Sequence, residues 1–367
     1  MGRANIRFEG LDALRGFAAA SILIYHAIIL RKLIEPEATP AFVKLLYTGV
    51  PLFFSISAFS LCAGYYGRLG NANQIVSFYV RRFARIAPLY YLMVLAWVLI
   101  LSYLWQSWRL PELSDVLLNL TFLYNFVPQS ATSLVPAGWS LGVEFIFYAA
   151  FPILIAIIRT VTMGAIALLI SIVLAGLAGY LLAPLGNNYT WYSATTQLPF
   201  FISGILMFHC HARIPVGRQK TAVAALVSST VVALAVLFLS GMIWWRPFSF
   251  GVGGHLVGLA LMPLVLAAAL HPHTLLVNRF AVFVGKVSYG VYLIHPAVLT
   301  MVARPIQEAR EDLFSPWAMM FIVIAITFIV TVMLATLSYY LIERPFMNLW
   351  RASATRSPIA ATPLAAE

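Results

Sequence analysis

The run from Met319 to Leu337 carries no charge and is apolar on every face, so no side of it can be presented to water. In hydrocarbon every backbone N–H and C=O must find a partner inside the protein, which leaves only helices and closed barrels as spanning structures. Barrel strands alternate apolar and polar residues, and this run does not, so it reads as a transmembrane helix. The rest of the chain agrees. Of its 367 residues, 62% are hydrophobic and 10% are charged, against about 45–50% and about 25% in soluble domains. One water-soluble core cannot bury that much apolar surface, and disordered chains are poor in such residues. The expected fold is therefore all-α, a polytopic membrane helix bundle.

Ten helices of about 20 residues fit the apolar runs. They fall at 11–30, 46–65, 87–105, 138–158, 162–182, 194–210, 221–240, 252–270, 281–301 and 316–340. The first run is not a cleavable signal, since it holds Asp12 and Arg15 and no small-residue cleavage site follows it. With the N-terminus placed in the cytoplasm, 15 Lys and Arg residues fall in inner segments and seven in outer ones, and Arg15 lies within the first helix. That bias places both termini inside. Seven of the 12 acidic residues (Glu35, Glu37, Glu112, Asp115, Glu308, Glu311 and Asp312) fall on the outer side. The net charge of +11 is spread over short gaps between apolar runs, which speaks for the bilayer and against nucleic acid as the partner. The longest loop is the outer one at 106–137, and no internal repeat is visible. Residues 1–345 read as one membrane domain and 346–367 as a short, disordered cytoplasmic tail. Cys62 and Cys210 show neither disulfide nor metal spacing, and the His209–Cys210–His211 triplet alone makes a poor metal site.

Ionisable side chains at membrane depth are costly and point to function. The first helix carries Asp12, Arg15 and His26. Arg15 and His26 are eleven residues apart, within about 20° of three full turns, so they share a face roughly 16 Å apart. Asp12 and Arg15 also suit an i, i+3 ion pair, and Asp12 a place at the helix start. Glu144 stands near the outer end of the fourth helix and His295 in the outer half of the ninth, both near the depth of His26. These three make a plausible site. For Glu144 and His295 a purely structural hydrogen bond stays open, with His295 beside a kink at Pro296. Arg81, Arg82 and Arg85, in the loop before the third helix, read either as topology anchors or as a phosphate-binding patch.

Four stretches, in order and at consistent spacing along about 340 residues, resemble the acyltransferase family 3 of membrane O-acyltransferases. The first runs from Leu11-Asp12-Ala13-Leu14-Arg15-Gly16 to His26, the family's arginine, ten residues, histidine signature. The second is Phe53-Phe54-Ser55-Ile56-Ser57 with Arg82-Phe83-Ala84-Arg85-Ile86-Ala87-Pro88. The third is Trp139-Ser140-Leu141-Gly142-Val143-Glu144-Phe145. The fourth is Gly285-Lys286-Val287-Ser288-Tyr289 to His295, closed by Glu343-Arg344-Pro345-Phe346. Ala58 stands where the family usually has glycine. The resemblance implies a bacterial inner-membrane enzyme that moves an acyl group, commonly acetyl from acetyl-CoA, onto a hydroxyl of an extracytoplasmic carbohydrate. It implies acetyl-CoA as a donor substrate and no bound cofactor or metal. Only about 24 residues follow Glu343, so the chain is expected to be the stand-alone membrane form.

Such a transfer needs a base for the hydroxyl proton and stabilisation of a developing oxyanion. His26 is the expected base, with Glu144 orienting it or holding its imidazolium form. Arg15, on the path inward, and Asp12 complete the expected catalytic set, and Arg81, Arg82 and Arg85 are the expected donor contacts. Tyr289, Tyr292, Ser55 or Ser57 would donate to the oxyanion or carry the acyl group, with Trp139 and His295 in support. Direct transfer and a covalent intermediate both remain open. A transporter exporting a saccharide or an acyl intermediate is the alternative, since intramembrane charge suits it equally.

Overall fold

The computed structural model describes residues 8–33, 40–104, 111–241, 252–271, 276–310 and 313–355, and every regular element among them is helical. Leaving aside helices of fewer than eight residues, the helices are α1 (Glu9–Leu30), α2 (Gly49–Tyr65), α3 (Ala72–Leu104), α4 (Leu113–Thr121), α5 (Trp139–Ile157), α6 (Val161–Leu182) and α7 (Ala194–His211). They continue with α8 (Gln219–Leu239), α9 (Val252–Ala260), α10 (Pro263–Leu270), α11 (Arg279–Lys286), α12 (Ser288–Val298), α13 (Pro316–Ser338) and α14 (Arg344–Thr355). Among the loop charges counted above, Arg3, Arg7, Glu35, Glu37, Arg109, Arg246, Glu311, Asp312 and Arg356 lie outside the described residues.

Each of the ten expected intervals carries helix. Seven stretches among the described residues are long and apolar enough to cross a membrane, and an eighth is the bent pair 279–286 and 288–310. The intervals 194–210 and 252–270 do not meet that standard, for different reasons. Helix α7 packs against α2, α5, α6 and α10 in the middle of the bundle. A helix that meets protein on most sides need not be apolar all round. Its buried Thr196, Gln197 and Ser203 instead bond to the carbonyls of Thr190, Trp191 and Phe200. The 252–270 interval is broken into α9 and α10 just before Pro263. Helices α6 and α8 are the opposite case. Only 11% of each apolar window is buried within the protein, so residues such as Leu169, Val173, Val232 and Val236 face lipid.

Three local expectations are corrected. The arginine segment 81–88 is not a loop but the interior of α3, which continues through Pro88 for 33 residues. At 1.5 Å per residue that is about 50 Å, longer than the roughly 30 Å hydrocarbon core, so one end carries the arginines beyond it. The sharp bend near His295 is not at Pro296. It falls at Val287, where α11 and α12 meet at 75°, and Pro296 lies inside α12. The segment expected as a disordered tail is described as far as Thr355 and is helical to that point, as α14 packed on α3. The outer loop also carries structure of its own, in α4 and the turn Tyr124–Phe126.

Helices α1 and α11 cross almost backbone to backbone. A Cβ on Gly285 would sit 1.7 Å from the Asp12 carbonyl oxygen, and one on Gly16 would sit 2.6 Å from that of Ala281. Neither backbone can give way, because overfilling a packed interior costs typically about 1–3 kcal/mol and sometimes more. Gly285→Ala should therefore lower the thermal unfolding midpoint in detergent markedly. Gly176→Ala, on lipid-facing α6 with nothing within 4 Å of its Cβ, should leave it unchanged or slightly raised. Equal midpoints for the two variants would show that the crossing is looser than described.

Candidate active site

Three constellations of polar groups gather the expected site residues inside the bundle. In the first, Asp12 and Arg15 share a face of α1, and Arg15 Nη1 donates to Asp12 Oδ1 at 3.1 Å. Arg15 Nη2 reaches across to Ser60 Oγ of α2 at 2.7 Å. In the second, Glu144 Oε1 accepts from Ser57 Oγ at 2.7 Å and from the hydroxyl of Tyr148, one turn along α5. In the third, His26 Nδ1 and His295 Nε2 lie 2.7 Å apart. Their rings are nearly parallel, tilted by 13° with centroids 5.0 Å apart.

A cavity of about 460 Å³ joins the first two constellations, within the usual size of a small-molecule site. The order of its lining residues along α2 gives its direction. Arg68, just beyond α2, lies at one end with Arg81, Arg82 and Arg85. Ser60 and Ser57 follow with Arg15, Glu144 and Tyr148. Val50, Ser140 and Tyr292 close the other end. Five guanidinium groups and one carboxylate thus face one space. Among the described residues, no carboxylate lies within 4.0 Å of Arg68, Arg81, Arg82 or Arg85. Arg82 donates to the Tyr65 hydroxyl at 3.2 Å and lies over the Tyr65 and Phe78 rings, but its Nε is buried without a partner. Arg81 is exposed and holds Ser77 Oγ. This end of the cavity has more positive charge and more N–H donors than the protein satisfies.

The histidine pair lies beyond the opposite end. Tyr292 lines the cavity and stands 6.0 Å, ring to ring, from His295. His295 is fully buried, while His26 stays partly exposed. Thus His26 and His295 meet as their common depth suggested, and Glu144 does not join them. Both donors that hold Glu144 come from elsewhere, and no direct hydrogen bond joins it to His26.

Other candidates separate on their hydrogen bonds. Tyr289 lines the cavity but donates its proton to the Ile86 carbonyl at 2.7 Å. Tyr292 donates to the Ala137 carbonyl at 2.7 Å, which a left-handed backbone at Ala137 (φ 67°) turns toward it. Neither tyrosine has a proton left for an oxyanion. Ser55 faces α7 instead of the cavity, where it bonds Ser203 at 3.2 Å beside the close approach of Gly204. Trp139 is buried against Tyr192 and Phe54, outside the cavity lining. Ser57 is placed as expected, at Glu144. Sequence reasoning missed Ser60, Arg68, Ser140 and Tyr148. Tyr148 was readable, being four residues after Glu144 on one helix face; so was Ser60, three residues after Ser57 on α2. Ser140, four residues before Glu144 on the same helix, carried the same signal, and Arg68 carried none.

These features define a multi-pass membrane protein with a cationic internal cavity that leads toward a buried histidine pair. The sequence profile described as an acyltransferase domain matches residues 8–352, and the chain belongs to this family, acyltransferase 3. The chain is similar to YrhL of Bacillus subtilis, provisionally named a peptidoglycan O-acetyltransferase, at 26% identity over 92% of this chain and 54% of that protein. A Staphylococcus aureus protein (strain COL) provisionally named an O-acetyltransferase is 26% identical over 92% of this chain and 57% of its own. The peptidoglycan O-acetyltransferase OatA of Listeria monocytogenes is 24% identical over 91% and 55%. The chain therefore spans about half the length of the curated relatives it matches. No solved structure matches it.

Glu144 offers a direct test of this geometry. A hydrogen bond to a charged group is worth about 1.5–3 kcal/mol, against about 1 kcal/mol for a neutral one. Tyr148→Phe should therefore destabilise the protein by about 1.5–3 kcal/mol in denaturant titration. Tyr289→Phe, which loses one bond to a backbone carbonyl, should cost about 1 kcal/mol. An inverted order would place the Glu144 carboxylate in water and not in this network.

Proposed function

We propose that this chain is a bacterial inner-membrane O-acetyltransferase, with both termini cytoplasmic, that moves acetyl from cytoplasmic acetyl-CoA to a hydroxyl of an extracytoplasmic glycan. One observation carries the reading: a single cavity has at one end an arginine cluster with no salt-bridged carboxylate among the described residues, and approaches the His26–His295 pair at the other. Charge-assisted, forked contacts from arginine suit phosphate, and coenzyme A carries its phosphates at one end and its thioester at the other. Phosphates held by Arg68, Arg82 and Arg85 would direct the thioester along the cavity toward Tyr292 and the histidines. The positive-inside bias puts that arginine cluster on the cytoplasmic face, where coenzyme A is found.

The chemistry follows from the residues. His26 takes the proton from the acceptor hydroxyl as its oxygen attacks the acetyl carbonyl. The C–S bond breaks, and the proton passes from His26 to the departing thiolate. Arg15, anchored by Asp12 and Ser60, keeps positive charge along the path of the donor. Glu144, held through one oxygen by Ser57 and Tyr148, orients the donor inside the cavity instead of serving the base. A glycan acceptor agrees with the peptidoglycan O-acetyltransferase names of the relatives.

The test is thiol release from acetyl-CoA by purified protein in vesicles, with and without a glycan acceptor. Acceptor-dependent thiol release supports the enzyme, and glycan movement without thiol release supports the transporter. His26→Ala should lose about 10²- to 10⁴-fold in turnover while its thermal unfolding stays near wild type. Arg82→Gln and Arg85→Gln should each raise the KM for acetyl-CoA about tenfold or more, at about 1.5–3 kcal/mol per contact. Acetyl-dephospho-CoA should distinguish these variants from wild type less well. An unchanged donor KM in both variants would reduce the arginines to topology anchors.

A further inference from the structure

The two histidines are held in one defined pair of tautomers, and the device that fixes them is built into the sequence of α12. His295 Nδ1 faces the carbonyl oxygen of Val291 at 3.2 Å, and the same ring also meets the Tyr292 backbone. The Tyr292 carbonyl would ordinarily accept from the N–H four residues on, but that residue is Pro296, which has none. The proline thus leaves an acceptor in the helix wall beside the imidazole of the preceding residue. Carbonyl oxygens only accept, so His295 Nδ1 carries a hydrogen. In the uncharged ring Nε2 is then a bare acceptor. His26 Nδ1, 2.7 Å away, must donate to it, and that leaves His26 Nε2 as a bare lone pair. Among the described residues nothing bonds to His26 Nε2, and His26 is the partly exposed member of the pair.

We propose that His295 is a positioning residue for His26: through the Val291 and Tyr292 carbonyls it holds His26 as the Nδ1–H tautomer, with Nε2 free to take the acceptor proton. The proposal rests on the acetyl-transfer reading for its catalytic meaning, and on hydrogen-bond geometry alone for the tautomers. When His26 Nε2 takes the hydroxyl proton, the new positive charge is shared through the Nδ1–H bond with His295 and the carbonyls behind it. The same proton returns from Nε2 to the thiolate when the C–S bond breaks, so the pair ends the cycle as it began. In most catalytic histidines a carboxylate fills this supporting place. Here a second imidazole fills it, and Glu144 serves elsewhere. Without His295, His26 can adopt the tautomer with hydrogen on Nε2, the more populated form of histidine in water, in which the reacting nitrogen is already capped.

The experiment uses full-length protein labelled with ¹⁵N-histidine in nanodiscs. Solid-state spectra are assigned with His26→Gln and His295→Gln. The expected result is hydrogen on Nδ1 and a bare Nε2 for both rings at a pH where both are uncharged. In His295→Leu, hydrogen should appear on His26 Nε2. Transfer assays run in parallel. His295→Leu should lose about 10²- to 10⁴-fold in kcat, the range set by removing a general base or fixing its wrong tautomer, with donor KM within about twofold. His295→Gln, whose amide oxygen can still accept from His26 Nδ1, should recover at least about tenfold of that loss. Hydrogen on His26 Nε2 in the resting wild-type protein overturns the proposal. So does normal kcat in His295→Leu, or a glutamine variant no better than the leucine variant. If wild-type protein transfers no acetyl at all, the acetyl-transfer reading falls by itself, and the nitrogen spectra still decide the tautomers.

Discussion

The crossing of α1 and α11 at Gly16 and Gly285 sets the distance on which the rest of the site depends. A side chain at either position would push the two backbones apart, since their closest atoms already leave no room for a methyl group. Helix α11 turns through 75° into α12 directly after Gly285-Lys286. Fixing α11 on α1 therefore fixes where α12 runs beside the C-terminal half of α1. His295 lies ten positions on from Gly285, and His26 ten positions on from Gly16. Equal offsets from one contact point, along two helices that remain packed together, bring the two imidazoles into hydrogen-bond contact. A glycine crossing at one end of the pair thus sets imidazole geometry at the other.

Each buried charge near the cavity is stabilised by groups from its own or a neighbouring helix. Arg15 binds Asp12 and Ser60, and Glu144 binds Ser57 and Tyr148. Removing a charge from water costs several kcal/mol unless hydrogen bonds replace the lost hydration. Ser57 and Ser60 lie three residues apart on α2, so one face of that helix serves both an acid and a base. The arginines at the other end are not treated alike. They lie near the end of a helix longer than the hydrocarbon core, where water can hydrate what the protein does not. Arg82 shows the intermediate state, with one nitrogen bonded, its guanidinium over two rings and its Nε unsatisfied.

The sequence made the helix intervals, the Asp12–Arg15 pair and the meeting of His26 with His295 legible, because all three follow from period and depth. Helical rise gives depth along a span, and it placed the two histidines at one height. It does not give the rotation or tilt of one helix against another, and so Glu144 seemed able to reach His26 when its face turns to Ser57 instead. Ser55 and Ser57 show the same limit within one motif. Two residues apart on a helix, they point about 200° apart, and only packing against α7 decides which one meets the cavity. The extent of α3 was hidden because its polar first half reads as a loop while its neighbours hold it helical. The bend at Val287 was hidden because proline is the stronger signal for a kink, and Pro296 acts by freeing a carbonyl without breaking the helix.

The loop between α4 and α5 belongs to the frame of the site. The Asn119 side-chain oxygen accepts from Tyr90 at 2.6 Å, from Ser133 at 2.9 Å and from the Leu134 N–H at 3.0 Å. The Tyr124 hydroxyl donates to the Gly138 carbonyl at 2.5 Å and accepts from the Gly142 N–H at 2.8 Å. These bonds tie the loop to α3 at one side and to the start of α5 at the other. Between them lies Ala137, whose left-handed backbone directs its carbonyl at Tyr292. With its proton engaged there, the Tyr292 hydroxyl accepts from Ser140 at 2.9 Å, and its ring is held between the cavity and His295. A loop fixed at both ends thus fixes the side chain that separates the arginine-lined space from the histidines. Held by these bonds at its buried Asn119, Tyr124 and Gly138, such a loop has little freedom to open as a lid. Passage between the two halves of the site is instead limited by one aromatic ring anchored at its hydroxyl.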